Sequence, residues 1–218
     1  MTDSEELFEQ FCKMNGLHCE RVPTASEDEE QRPDCRVTGL RETTIVVEIK
    51  QFDPNPEEEN AIKKMSQGQM AGFRSVPGDR LRRAIRKADG QIKTLSQGKH
   101  PGLLIVCDTY ALNHTHDYHV LTAMRGLDVI PILVDPQGKD IFLPKRPGSE
   151  KMLTAAWNTS ISAIGAFRRR KTGEVGLDIY HNKHAHVPLF PAEIAGATVQ
   201  HFRMSDDENG WDPLDHTT

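Results

Sequence analysis

The chain has 218 residues, of which 37% are hydrophobic and 27% charged, and a formal net charge of -5 at pH 7. Such a chain fills one substantial core with length to spare, and its composition excludes collagen-like, disulfide-stapled and wholly disordered classes. No apolar run approaches the roughly 20 residues that span a bilayer, and the acidic start Met-Thr-Asp-Ser-Glu-Glu lacks the order of a signal peptide. The expectation is a cytoplasmic protein with no membrane partner. Cys12, Cys19, Cys35 and Cys107 form no Cys-x-x-Cys pair, which points to buried free thiols.

Taken in chain order, Leu7, Phe8, Phe11 and Cys12 recur on one side behind Ser4, and Gly16 stops the pattern, so an N-capped amphipathic helix is expected. A strand from Leu17 to Pro23 follows, then an acidic loop from Ala25 to Gln31, a second strand near Pro33 to Thr38, and a turn at Gly39 into a strong strand from Thr43 to Lys50. Residues 53–79 lack clean periodicity and read as an irregular insert holding a short helix near Glu58 to Met65. From Asp79 or Arg80 to Ser96, Leu81, Ile85, Ala88, Ile92 and Leu95 repeat at helical spacing. Gly90, inside that stripe, costs about 1 kcal/mol relative to alanine.

Gly102 to Asp108 is a short, wholly apolar run, the pattern of a strand covered on both faces. A helix near Asp117 to Met124 and a strand from Val129 to Val134 are expected to extend the same sheet. A small strand at Ile141 to Leu143 and a hairpin of Ile161 to Phe167 with Val175 to Tyr180, closed by the basic turn Arg168 to Lys171, complete the reading. The division is a core over 1–136, an extension over 137–204 packed on it, and a disordered acidic tail over 205–218. The fold class is α/β, with a mixed central sheet flanked by helices and a C-terminal extension containing β strands.

Charge is segregated. Residues 61–100 hold ten Lys/Arg against Asp79 and Asp89, a local excess of eight, while acid gathers in Glu27 to Glu30, in Glu57 to Glu59 and in the tail. This permits a polyanion partner. Within the strong strand, period two puts Glu48 and Lys50 on one face and Ile45, Val47 and Ile49 on the other. Asp34 joins the first face if its strand pairs as a hairpin. Glu-x-Lys alone arises by chance about once in a chain this long, but an unpaired carboxylate and ammonium on an interior strand are costly, so charges there usually have a partner or a job.

With Pro33-Asp34 and Glu48-Ile49-Lys50, and with helix, three strands, helix and strand over residues 4 to 108, the chain is similar to the PD-(D/E)XK nuclease superfamily. The resemblance implies a restriction-endonuclease-like αβββαβ core and a metal-dependent nuclease. Asp34, Glu48 and the backbone carbonyl of Ile49 would hold Mg2+ (or Mn2+), and Lys50 would orient or help deprotonate the attacking water. Glu5, on the first helix, resembles a further metal ligand of many members, and Gln91 resembles a polar helix residue near the site. Arg82, Arg83, Arg86 and Lys87 are the expected phosphate contacts. Independently, magnesium favours one or two carboxylates plus substrate oxygens, which suits a sparse acidic pair. The expected partner is nucleic acid, with DNA foremost, and a homodimer is possible. A binding module with little catalysis is the alternative. A histidine-bound zinc site drawn from His114, His116 and His119, or from His181, His184 and His186, is weaker, because neither set has the Glu or Cys partners of common zinc motifs.

Overall fold

The structure, a computed structural model, describes residues 2–23, 32–108, 112, 114–169 and 174–215; the acidic run Glu27 to Glu30 and the turn residues Arg170 and Lys171 lie outside them. The chain opens with helix α1 (Asp3–Met14). Its cap is Thr2 rather than Ser4, because Thr2 and Glu5 satisfy each other's backbone N–H reciprocally. Strands β1 (His18–Arg21), β2 (Cys35–Thr38) and β3 (Thr44–Phe52) form an antiparallel meander. The insert contains helix α2 (Pro56–Ser66), begun by an Asn55 capping box. Helix α3 (Asp79–Ser96) then runs unbroken through Gly90, and strand β4 (Gly102–Asp108) returns parallel to β3.

Helix α4 (Asp117–Arg125) follows. The segment expected to extend the sheet at Val129 to Val134 does not do so. It forms short pairs instead: β5 (Asp128–Val129) with β8 (Arg146–Pro147), and β6 (Ile132–Val134) with β7 (Asp140–Phe142). The place beside β4 is taken by β9 (Ile161–Arg169), parallel to it, and β10 (Val175–His181) pairs antiparallel with β9 as the expected hairpin. Strand β11 (Val199–Met204) lies parallel to β10, and β12 (Trp211–Leu214) closes the edge.

The result is one mixed eight-stranded sheet in the order β1-β2-β3-β4-β9-β10-β11-β12, flanked by helices in an α/β architecture. Strands on both sides of residue 137 therefore share a single sheet. The acidic tail, expected to be disordered, turns at Ser205 to Gly210 and pairs through β12. Backbone pairing needs no apolar periodicity, and Trp211 anchors the strand by lying 4.6 Å from the Tyr180 ring and donating its indole N–H to the Asp117 carbonyl at 3.1 Å.

Two apolar layers sandwich the sheet. Phe8, Phe11 and Cys12 of α1 meet Ile45, Val47 and Ile49, whereas Leu81, Ile85 and Ile92 of α3 meet Val46, Leu104 and Val106. Buried on both faces, β4 has to be apolar throughout. Gly102 marks the closest approach of three elements: a Cβ there would stand 2.4 Å from Ile92 and 2.2 Å from the Ser160 carbonyl oxygen. All four cysteines are free, Cys19 half-buried and the others buried. No helix among the described residues is long and apolar enough to cross a membrane.

Candidate active site

The alternation of β3 decides which layer each side chain joins. Val46, Glu48 and Lys50 face α3, while Ile45, Val47 and Ile49 face α1. Cys35 pairs with Val47 in the antiparallel β2–β3 register, so Asp34 falls opposite Glu48 one step beyond the paired residues. Oδ2 of Asp34 accepts a 2.6 Å hydrogen bond from the Ile49 N–H, which ties the turn before β2 to the middle of β3.

Glu48 has no solvent exposure at all. Its Oε1 is ion-paired with the Lys50 ammonium, while its Oε2 has no hydrogen-bond partner among the described residues. Its carboxyl is raised to about 7, by burial first and by the Asp34 charge second, with Lys50 and Gln91 opposing both. Asp34 is also raised, by burial first, against the pull of the Ile49 N–H and Lys50. Two acids held this close in a dry setting repel, and a cation between them removes both penalties. Lys50 also donates to Gln91 Oε1 at 3.3 Å, and Gln91 Nε2 donates to the Arg32 carbonyl at 3.2 Å. Gln91 thus braces the ammonium against the chain leading into Asp34.

Asp34, Glu48, Lys50 and Gln91 therefore converge. Glu5 sits at the margin: its Oε2 accepts from the Thr2 N–H at 3.2 Å and lies 3.8 Å from Arg21, and its charge helps to raise Asp34. At Ile49 the recorded contact is the N–H to Asp34. A contact the sequence reading missed explains why α1 stands so near. Ser4 donates from N and Oγ to Gln51 Oε1, at 3.2 and 2.9 Å, and so docks the helix start on the end of β3. A small polar residue at a helix start and a glutamine right after Glu-x-Lys are the signals for it.

The basic face of α3 divides. Arg86 and Lys87 are exposed, and Arg83 is exposed beside Asp79 at 2.8 Å. Arg82, expected among the phosphate contacts, is instead buried, donating to the Pro77 carbonyl at 3.1 Å with Glu150 at 3.4 Å. It follows Leu81 on the edge of the apolar stripe, where the helix turns it toward the body of the molecule. The histidines have other duties. His114 contacts buried Glu58 at 3.0 Å, His116 caps α4, and His181 and His201 are 2.8 Å apart.

Compared with known protein families, with curated proteins and with solved structures, the chain gives no match. The site must be judged on its own chemistry. Its donors are carboxylate oxygens, the adjacent Cys35 thiol lies in the α1 layer instead, and one of those oxygens is buried with no hydrogen-bond partner among the described residues, so the residues fit a hard divalent cation such as magnesium or manganese. Among the described residues no three His, Cys, Asp or Glu side chains stand together as a complete ligand set. Water and substrate oxygens would fill the remaining positions, as magnesium prefers.

Proposed function

We propose that this protein is a divalent-metal-dependent nuclease that hydrolyses phosphodiester bonds in DNA on a restriction-endonuclease-like, PD-(D/E)XK core. The observation that carries the reading is Glu48, a fully buried carboxylate with one unpartnered oxygen, set beside Asp34 and a lysine. A sheet interior tolerates such a group at a cost of several kcal/mol unless it is paired or holds an ion.

In this reading Asp34 and Glu48 hold the cation, which supplies Lewis acidity toward the phosphoryl oxygen. Lys50 orients the attacking water and balances the charge that develops on the phosphate. Gln91 positions Lys50. Glu5 adds negative potential at the margin, and Arg83, Arg86 and Lys87 offer phosphate contacts one or two turns along α3 from Gln91.

The test is incubation of the full chain with duplex DNA, single-stranded DNA and RNA in magnesium or manganese. The account expects cleavage of DNA, lowered at least ~10³-fold in Lys50→Ala and in Asp34→Ala. Activity unchanged in both variants rejects the assignment. Salt-dependent DNA binding with no cleavage in any metal would support a binding module instead.

A further inference from the structure

Residues 127–148 leave the body of the molecule as one ribbon. At its base β5 pairs with β8, and the Gly148 N–H donates to the Leu127 carbonyl at 2.7 Å. Asp128 is clamped from two sides, by Arg125 at the end of α4 and by Lys145 just before β8, each at 2.6 Å. At its tip β6 and β7 close through Asp135-Pro136-Gln137-Gly138. There Asp135 Oδ1 accepts from the N–H groups of Gln137 and Lys139 at 2.9 and 2.8 Å, and Gly138 takes a φ of +82°. The ribbon's shape is therefore set by its own turn and its own base.

Its side chains do not fit a ribbon that ends in water. Every residue of β6 and β7 is exposed. Ile132 pairs with Phe142 and Leu133 with Ile141, so Ile132, Val134 and Phe142 line one face while Leu133 and Ile141 line the other. Val134 is 66% exposed and Phe142 67%. A two-stranded ribbon with neither face covered is marginal in water and gains stability from a third layer. With Val129 and Ile130 the apolar side chains leave on the order of 600 Å² in water, divided between the two faces of the ribbon. Only an occupant that closes on both faces, as an intertwined second ribbon would, buries most of the roughly 800 Å² each partner brings to a standard interface.

Charge selects the occupant. Residues 127–148 carry Asp128, Asp135 and Asp140 against Lys139, Lys145 and Arg146, a net charge of zero, so the ribbon has no excess positive charge to draw a polyanion. Mixed charge around an apolar centre does match itself, which is what a contact across a two-fold axis demands. We propose that the ribbon is a dimerisation element whose occupant is the ribbon of a second copy of this chain. The proposal is independent of the nuclease reading.

Sedimentation velocity on the full chain, from low to high micromolar, tests it. The expected mass is twice the 24.5 kDa of one chain. Phe142→Asp and Val134→Asp, both at exposed positions, should each weaken dimerisation at least about 100-fold and leave the circular dichroism spectrum unchanged. A monomer at every concentration overturns the proposal, as does a dimer that both variants leave intact. A monomer that changes mass only when duplex DNA is added assigns the ribbon to nucleic acid and overturns it too.

Discussion

Glu48 and the ribbon of residues 127–148 break the usual partition of polar and apolar groups in opposite directions. At Glu48 a carboxylate is shut inside a sheet, one oxygen paired with Lys50 and the other without a hydrogen-bond partner among the described residues. In the ribbon, isoleucine, leucine, valine and phenylalanine stand in water on both faces of a well-formed hairpin. The first departure is a few atoms wide and electrostatic, so it calls for something small and charged. The second spreads over several hundred square ångströms and is nearly neutral, so it calls for a macromolecular surface. Both are held by rigid surroundings, one by β2, β3 and α3, the other by its turn and its clamped base, so neither reads as slack in the fold.

The largest effect expected on stability comes from breaking the Glu48 side of this contrast. Lys50→Ala should destabilise the metal-free protein by about 3–5 kcal/mol above pH 7, because it strands a buried carboxylate. Adding Glu48→Gln should recover most of that loss. Denaturant unfolding of the two single variants and the double variant measures this. Purely additive losses would mean that Lys50 and Glu48 do not act as a pair.

His181 sharpens the comparison, because it is a half-buried titratable group with no acid among the causes of its shift. Burial first, then His201, lowers it to about 4 from the usual 6.5. The unfolded chain takes up a proton below pH 6.5 and the folded one does not, so stability falls as pH drops from 6.5 to 4, by up to about 3 kcal/mol. His181→Gln should flatten the unfolding profile in that window. An unaltered profile would place the acid sensitivity elsewhere.

The smallest effects separate two neighbours on α3. Arg82→Ala should cost about 1–2 kcal/mol of stability, since it removes a buried side chain and its hydrogen bond to the Pro77 carbonyl, and should not change the salt dependence of DNA binding. Arg83→Ala should cost less than about 0.5 kcal/mol, while lowering the salt slope of DNA binding by about 1. Thermal unfolding and salt-titrated binding read both.

The site was more legible in the sequence than the architecture around it. Glu48 and Lys50 share a face by the period of a strand and Asp34 follows from a hairpin register, both local patterns, whereas Gln91 rests on the family resemblance. Arg82 was misread because a residue at the margin of a stripe can turn to either side, and only the loops at Pro77 and Glu150 decide which. The position of β9 beside β4 joins residues about sixty apart, and an apolar run records that a strand is buried without recording its neighbour. The ribbon misled for the same reason. Val129 to Val134 carries the apolar pattern of a covered strand, but its cover is not in the sheet. In the tail, acid content outweighed a single tryptophan that was enough to anchor β12.

The central claim, that half-buried Asp34 and fully buried Glu48 are set side by side to hold a divalent cation, is tested most directly by calorimetric titration of manganese into the wild-type chain and the Glu48→Gln variant. The account predicts saturable binding to the wild type that the variant loses. Absence of binding to the wild type, or equal binding by both, would contradict it.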